Sequence, residues 1–472
     1  MQKTTLLFIL ATSLALGSLP TSDAADPVHM ANGIKIGEVT SNSAIVWVRL
    51  TRNADRNING KPFPKNNSKK RVSLKYDNLD AMEGAVPGSD GEVRIVLNGG
   101  GSTNDSGWVR VKSQNDFIYQ KRFSNLHPAT QYQVTAEGRG SDSETAECKV
   151  EGAFHTAATK ETASKIVFTV VTGQDYPRRD DPANGHRIYP LMKKLEPDFF
   201  VHTGDIEYYD KPLPYADNLE LARFKWGRLF SMPFQRNFQR DTASYFLKDD
   251  HDTLKNDAWP GQTYGDLSWD QGIALFKEQF PLGEKTYRTV RWGKDLQVWL
   301  VEGRDYRSPN NMPDGPNKSI WGKEQKAWLK RTVQASDATF RILISPTPIV
   351  GPDRGNKNDN HANQGFTHEG DEIREFVASQ KNMYVVCGDR HWQYVSVDPK
   401  TGVKEFSCGP TTDKHASGFS EKNRSDMHKY LKIRGGFLSV TIDRNDGKPF
   451  ASFKHHDTRG GVYNEEVIQA EQ

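Results

Sequence analysis

Three short clusters of acids, histidines and tyrosines hold the side chains of this sequence that are best suited to chemistry. They are His202-Thr-Gly-Asp-Ile-Glu-Tyr-Tyr209, Asp249-Asp-His-Asp-Thr-Leu-Lys-Asn-Asp257 and Gly388-Asp-Arg-His-Trp392. Carboxylate oxygens bind hard divalent cations well, and histidine adds affinity for zinc, iron or manganese. Each pattern is weak when taken singly, since a turn with a solvated acid or a solvated acidic loop would also explain it.

A fourth polar segment, Val301-Glu-Gly-Arg-Asp-Tyr-Arg307, ends a predicted strand with two arginines, Arg304 and Arg307. Planar guanidinium groups suit phosphate oxygens, although arginines that only form structural salt bridges are common. The long polar run Asp353–Asn363 is either part of a substrate pocket or a surface excursion.

The elements that must position these clusters are apolar strands alternating with helices. We predict strands over 166–172, 198–202, 296–301, 340–345 and 383–387, helices over 323–333 and 372–380, and further strands near 403–407, 436–443 and 449–456. This pattern predicts an α/β fold in which a two-sheet sandwich is flanked by helices. Because ligands of such folds bind beyond the carboxyl ends of the strands, we expect the clusters to meet there.

The order of the clusters carries more information than any one of them. Two metal ions bridged by a carboxylate generate a hydroxide at neutral pH, and they stabilise the attacking and leaving oxygens of a displacement at phosphorus. The residue types present are those that such a site needs. The sequence therefore favours a hydrolase of phosphate esters that holds two or more divalent or trivalent ions, with calcium, iron, zinc and manganese as candidates.

Residues 26–157 have a different texture, with short alternations of apolar and polar residues between turn-forming clusters. About seven half-buried antiparallel strands in this length indicate a β-sandwich domain. Within it, Leu126–Val134 resembles the Leu-x-Pro-x-Thr-x-Tyr run of fibronectin type III domains. We see no catalytic constellation in this part. A polar linker from Ala157 to Ser164 then leads into the catalytic domain, which we place at 164–472.

The first 25 residues are typical of a signal peptide, with Lys3 before the apolar stretch Leu6–Leu16 and small residues at Ala24 and Ala25. We therefore expect a secreted or periplasmic protein, and no other segment is long and apolar enough to span a membrane. The formal net charge of +3, from 63 basic and 60 acidic side chains, predicts no nucleic-acid-binding patch. The sequence does not indicate an oligomeric state.

Taken in order, the motifs resemble the alkaline phosphatase D family of the calcineurin-like metallophosphoesterases. The resemblance covers nearly the whole of the chain after the signal peptide, including the segment Gly37–Trp47 in the β-sandwich and the helix motif Gln-x-x-Trp-Leu at 325–329. It implies a fibronectin type III-like sandwich followed by a metallophosphoesterase domain with a bimetallic site.

The resemblance also implies roles for individual residues. Asp205 would match the metal-bridging carboxylate, and Tyr208 the tyrosine that ligates ferric iron in purple acid phosphatases. Asp250, His251 and Asp252 fall on the Asn-His-Asp/Glu motif. Asp250 would then bind metal, and His251 would stabilise the transition state or protonate the leaving group. Asp389 and His391 would match the two metal ligands of the Gly-Asp-x-His motif.

The chain departs from the family pattern at two positions. Gly173 stands where the family has a Cys or Asp ligand after the first catalytic strand, and Asp175 could serve from two residues further on. Glu302 stands where the family has Asp in an Asp-x-Arg motif, which keeps the charge on a longer side chain.

The leading hypothesis is a secreted phosphomonoesterase or phosphodiesterase of the alkaline phosphatase type. In it, the metal ligands are Asp175, Asp205, Tyr208, Asp250, Glu302, Asp389 and His391, while His251, Arg304 and Arg307 act on the phosphate ester. The alternative, motivated by the missing first-strand ligand, is a secreted protein that binds metal without catalysis and recognises a surface polymer.

Overall fold

A computed structural model describes residues 26–64 and 78–471. The predicted signal peptide lies outside the described residues. No helix within the described ranges has the length and apolar character needed to cross a membrane.

The described residues form strands, α-helices and short 3₁₀ segments. The strands are β1 (Ile34–Gly37), β2 (Ser43–Arg49), β3 (Gly91–Gly99), β4 (Ser102–Asp105), β5 (Val109–Val111), β6 (Ile118–Ser124), β7 (Gln131–Arg139), β8 (Cys148–His155), β9 (Ile166–Val171), β10 (Phe199–His202), β11 (Ala243–Phe246), β12 (Thr263–Tyr264), β13 (Leu267–Ser268), β14 (Arg288–Trp292), β15 (Leu296–Leu300), β16 (Phe340–Ser345), β17 (Met383–Cys387), β18 (Gln393–Val397), β19 (Lys404–Cys408), β20 (His428–Lys432), β21 (Phe437–Asn445), β22 (Lys448–His456) and β23 (Val462–Gln469). The α-helices are α1 (Ile188–Lys193), α2 (Leu219–Phe230), α3 (Pro233–Gln239), α4 (Asp250–Thr253), α5 (Trp269–Gln279), α6 (Gly322–Gln334) and α7 (Thr367–Ala378).

Two large mixed sheets form the centre of the molecule. One has nine strands in the order β23-β22-β21-β9-β10-β11-β1-β2-β6, and the other has seven in the order β14-β15-β16-β17-β19-β18-β20. The middle strands β9, β10 and β11 run parallel, as do β15, β16, β17 and β19. Apolar side chains of both sheets share one core, which confirms the predicted sandwich of two sheets.

Alternation along the strands explains why helices cover the outer faces. On β10, Phe199 and Val201 point into the core between the sheets, whereas Phe200 belongs to a second cluster with α1, α2, α3 and α5. On the other sheet, Trp299 and Leu343 pack against α6 and α7. A strand buried on both faces is apolar at successive positions, as the sequence of β10 shows.

The N-terminal strands form a β-sandwich, as predicted, but its two sheets have different connections. One sheet consists of β4, β3, β7 and β8, with β5 also paired to β3. The other consists of β1, β2 and β6, and it continues into the nine-stranded sheet because β1 pairs in parallel with β11 at Gly37 and Ser244. Tyr132 fastens the loop before β7, since its hydroxyl accepts a hydrogen bond from the His127 amide at 2.8 Å. Hydrogen bonding and core packing therefore continue across the domain boundary that the sequence predicted.

The predicted clusters lie beyond the carboxyl ends of strands from both large sheets. Residues 203–208 follow β10, residues 247–253 follow β11 and residues 388–391 follow β17. The loop after β19 joins the same region, because Pro410 forms a parallel bridge with Thr172 at the end of β9.

Replacing Phe199 with alanine tests the shared core between the two sheets. The Phe199 ring stacks on Phe168 at 4.6 Å and on Trp292 of the opposite sheet at 4.9 Å, measured between centroids. We expect Phe199→Ala to lower the free energy of unfolding by about 3–5 kcal/mol, measured by denaturant titration. The control Ile58→Ala removes a side chain that is 65% exposed and should change stability by less than about 0.5 kcal/mol. A similar loss in both variants would contradict the shared core.

Candidate metal centre

Asp205 is held at the centre of the site by the sharp turn that follows β10. Its backbone has φ of 55°, and the preceding Gly204 has φ of 109°. A Cβ on Gly204 would lie 2.7 Å from atoms of Asp249, so glycine is needed for this turn to approach the next strand end. The Asp205 carboxylate is thus buried with its Oδ1 lacking any hydrogen-bond partner among the described residues.

Tyr208 and His391 meet the other oxygen of Asp205. The Tyr208 hydroxyl donates to Asp205 Oδ2 at 2.7 Å, and His391 Nε2 lies 3.4 Å from the same oxygen. Burial, together with the charge of Asp205, raises the pKa of Tyr208 well above 10. Burial lowers the pKa of His391 below 6.5, so its imidazole is neutral and offers a lone pair, as metal ligation requires.

Asp250 and His251 approach Asp205 from the first turn after β11. One ligand atom from each of Asp205, Asp250 and His251 lies within 4.8 Å of the others. The Nδ1 atom of His251 pairs with Asp210 Oδ1 at 2.6 Å, which leaves Nε2 available to the pocket. Burial alone would lower the pKa of His251, but Asp250, Asp210 and Asp205 outweigh it and raise this pKa to about 10.

Asp389 completes the group from the end of β17. It has φ of 60°, and Gly388 before it has no room for a side chain, because a Cβ would lie 2.4 Å from Thr203 Oγ1. The Asp389 amide donates to Thr172 Oγ1 at 3.1 Å, and its carboxylate contacts the buried guanidinium of Arg390. The segments that follow β9 and β17 are thereby hydrogen-bonded to each other beside the site.

The donor set fits hard or borderline metal ions. Asp205 Oδ1 is buried without a hydrogen-bond partner among the described residues, which is costly unless a cation or water compensates. Carboxylates, a phenol and neutral imidazoles are ligands for calcium, iron, zinc or manganese. Asp205, Tyr208, Asp250, Asp389 and His391, all proposed as ligands from the sequence, line one pocket together with His251.

Other residues singled out in the sequence lie behind this pocket. Glu302 pairs with Lys248 at 2.6 Å and accepts the Arg304 amide at 2.6 Å, so its carboxylate is occupied within the protein. The Arg304 side chain is fully buried and its Nε donates to Asp249 Oδ1 at 2.6 Å. Neither residue lines the pocket. Both are buried behind it and pair with residues that follow β11.

Arg307 and Asp175 also lie outside the pocket wall. Arg307 is buried and donates to the Asp359 carbonyl at 2.6 Å and to Asn310 Oδ1 at 2.8 Å. Asp175 is buried beside the Nε of Arg178 at 3.3 Å, and burial followed by the charge of Glu207 raises its pKa. Asp175 Oδ1 has no hydrogen-bond partner among the described residues.

The pocket encloses about 180 Å³ and contains residues that sequence reasoning missed. His415 enters from the loop after β19, and Asp210 orients His251 from the turn after Tyr209. The polar run 353–363 does reach the pocket, where Arg354 and Lys357 form part of its wall. Further cationic and polar lining residues are Arg178, Lys211, Asn256 and Ser417.

Comparison with known proteins identifies the family. A model of PhoD-like phosphatases matches residues 168–435, more than half of the chain. The chain belongs to the PhoD-like phosphatase family. A search of curated proteins gave no match.

Two solved structures share the fold of this PhoD-like phosphatase. A structure of PhoD has a TM-score of 0.69 at 15% identity, covering 96% of this chain and 92% of that chain. Purple acid phosphatase PPD1 from yellow lupin (Lupinus luteus) seeds has a TM-score of 0.64 at 12% identity, covering 92% and 74% respectively. The predicted family and fold are confirmed, and together they indicate a metal-dependent phosphoesterase.

Replacing Asp210 with asparagine tests how the charge at His251 is set. The carboxylate of Asp210 raises the pKa of His251. Asp210→Asn removes this charge but keeps the size of the side chain, so we expect the pKa of His251 to fall by about one unit or more. An NMR titration of the histidines in metal-free protein measures it. Asp270→Asn, at an exposed position of α5, should leave the pKa of His251 unchanged. An unchanged pKa in Asp210→Asn would refute this coupling.

Proposed function

We propose that this protein is a secreted hydrolase of phosphate mono- or diesters, of the alkaline phosphatase or phosphodiesterase type. The observation that carries the proposal is the convergence of Asp205, Tyr208, Asp250, Asp389 and His391 on one pocket beside His251. Bound metal ions would supply an acidified water as nucleophile and would neutralise charge on the phosphoryl oxygens.

The chain's own residues would perform the remaining tasks. Asp205 would hold the metal ions, with Tyr208 and His391 beside its Oδ2 and a ligand atom of Asp250 within 4.8 Å of it. His251 would give its proton to the leaving oxygen through Nε2, because Nδ1 is already engaged by Asp210. The charge of Asp210, which is not one of the proposed metal ligands, helps to raise the pKa of His251 and so favours its protonated form.

Cationic side chains on the pocket wall would hold the phosphate oxygens. Arg304 and Arg307, the candidates from the sequence, are buried and already paired. Arg178, Lys211, Arg354 and Lys357 line the pocket instead. Positive charge around a small pocket attracts an anionic ester and orients it.

We also propose that the protein is secreted through the predicted signal peptide at residues 1–25. Its support is the sequence pattern of a charged residue, an apolar stretch and small residues before Asp26. The N-terminal residue of the exported protein, determined by mass spectrometry, tests this part separately from the catalytic site.

Replacing Asp205 with asparagine tests the metal centre and the reaction together. The amide keeps the shape of the carboxylate but removes the charge that would bridge two ions. We expect metal content, measured by elemental mass spectrometry, to fall, and kcat/KM for a phosphate ester to fall at least about a hundredfold.

Asp270→Asn, on the surface of α5, is the matched control and should change neither quantity. Full metal content in Asp205→Asn would exclude Asp205 as a required ligand. Metal binding by the wild type without hydrolysis of any phosphate mono- or diester across pH 5 to 10 would contradict the proposal that this protein is an enzyme. It would favour a metal-binding protein without catalysis.

Replacing Lys211 with glutamine tests the cationic wall. Lys211 lines the pocket and is half-buried. We expect Lys211→Gln to raise KM for an anionic ester about threefold to tenfold with a smaller effect on kcat. The difference should shrink in high salt, since screening weakens exposed charges. Lys211→Arg keeps the charge and should behave like the wild type; equal KM values for all three proteins would contradict this role.

A further inference from the structure

Gly173, at the end of β9, brings bare backbone against the metal centre. It has φ of +57°, and a Cβ placed on it would lie 3.2 Å from Nε2 of His391 and 3.0 Å from its Cδ2. The position that faces the candidate ligand His391 therefore contributes no side chain of its own. Asp175, two residues on, pairs with Arg178 and does not line the pocket.

The loop after β19 is fastened to this same point of the backbone. The Gly173 carbonyl accepts the Thr411 amide at 3.1 Å and the Thr411 hydroxyl at 3.1 Å. It also lies 3.2 Å from Nδ1 of His415. Together with the bridge between Thr172 and Pro410, these contacts fix where the His415 ring lies.

The ring of His415 is placed next to two candidate ligands. Its centroid lies 4.1 Å from that of His391 and 5.2 Å from that of Tyr208. The residue is 1% exposed, yet it lines the metal pocket. An imidazole that donates from Nδ1 to a backbone carbonyl carries its lone pair on Nε2, which is the arrangement typical of metal-binding histidines.

The hydrogen bond that fixes the His415 ring uses Nδ1, so Nε2 is the ring nitrogen left for a ligand. A histidine buried for packing alone could have the same contacts, and His186 provides that comparison. His186 is buried in the same region with Nδ1 3.4 Å from the hydroxyl of Thr411, but it is not part of the pocket wall. The difference between the two histidines is access to the metal centre.

We propose that His415 is a metal ligand of this centre, binding through Nε2 beside Tyr208 and His391, and that it replaces the side chain that Gly173 does not provide. The inference rests on the metal centre of the proposed function, but it does not depend on hydrolysis.

The test compares metal binding by full-length wild type, His415→Ala and the matched control His186→Ala. Each protein is loaded with ferric iron and with zinc in separate experiments, dialysed, and measured by elemental mass spectrometry and visible absorption. We expect His415→Ala to bind the ion beside Tyr208 and His391 roughly tenfold or more weakly than the wild type, and to lose that ion on dialysis. A ferric tyrosinate absorption from Tyr208, if present in the wild type, should shift or vanish. Added imidazole should restore the lost ion, because it can enter the space of the deleted ring.

Several outcomes would overturn the inference. Wild-type stoichiometry, affinity and absorption in His415→Ala would show that the residue is not a ligand. Equal metal loss in His186→Ala, or a loss that imidazole fails to restore, would assign the effect to packing. If the wild type bound no ion, the inference would fail together with the metal centre. If the wild type bound metal through His415 but cleaved no ester, only the proposed function would fail.

Discussion

Mutual repulsion between buried carboxylates is the constraint on which the rest of this structure depends. Asp205, Asp249, Asp250 and Asp252 are all buried within a short distance of one another beyond the ends of β10 and β11. Burial raises the pKa of Asp252 well above 3.8, and the charge of Asp205 raises it further. Such a group persists only where fixed positive charge, backbone amides or bound cations compensate it.

The chain supplies that compensation in layers. Backbone amides of Ile206 and Glu207 donate to Asp252 at 2.7 and 3.0 Å, which joins the two acidic turns. Beneath them, Arg304 pairs with Asp249 and Lys225 pairs with Glu207, both out of contact with solvent. Since buried pairs cost desolvation, these cations are better explained by the charge they balance than by any stability they add. The Oδ1 atom of Asp205, a residue that lines the pocket, is left without a hydrogen-bond partner among the described residues.

The strand-end motifs could be predicted from the sequence because they depend on local order. A glycine and an acid after an apolar strand indicate Asp205 and Asp389, and Tyr208 and His391 follow at short spacing. Residues that depend on tertiary placement could not be found this way. Arg304 and Glu302 have the residue types of a phosphate or metal site, but sequence does not tell whether a charge faces a pocket or another charge.

His415 shows the same limit from the opposite side. It lies in an irregular loop without periodicity, and tertiary contacts bring it to the site, among them the pairing of Thr172 with Pro410 and the hydrogen bond of Thr411 to Gly173. For a similar reason, the sequence did not predict that the N-terminal sheet continues into the nine-stranded sheet. Alternation predicts that β1 is a strand, but it does not name β11 as a partner from far along the chain.

That pairing of β1 with β11 has a consequence for how the protein is made. Strands β1, β2 and β6 are synthesised long before β11, so one edge of their sheet stays unpaired until β11 is available. Pairing of distant segments slows folding and leaves strand edges open to other chains in the interval. We therefore expect the N-terminal strands to complete their folding late and not as an independent first module. A chain truncated to the part that follows them would leave the edge of β11 unpaired and prone to aggregation.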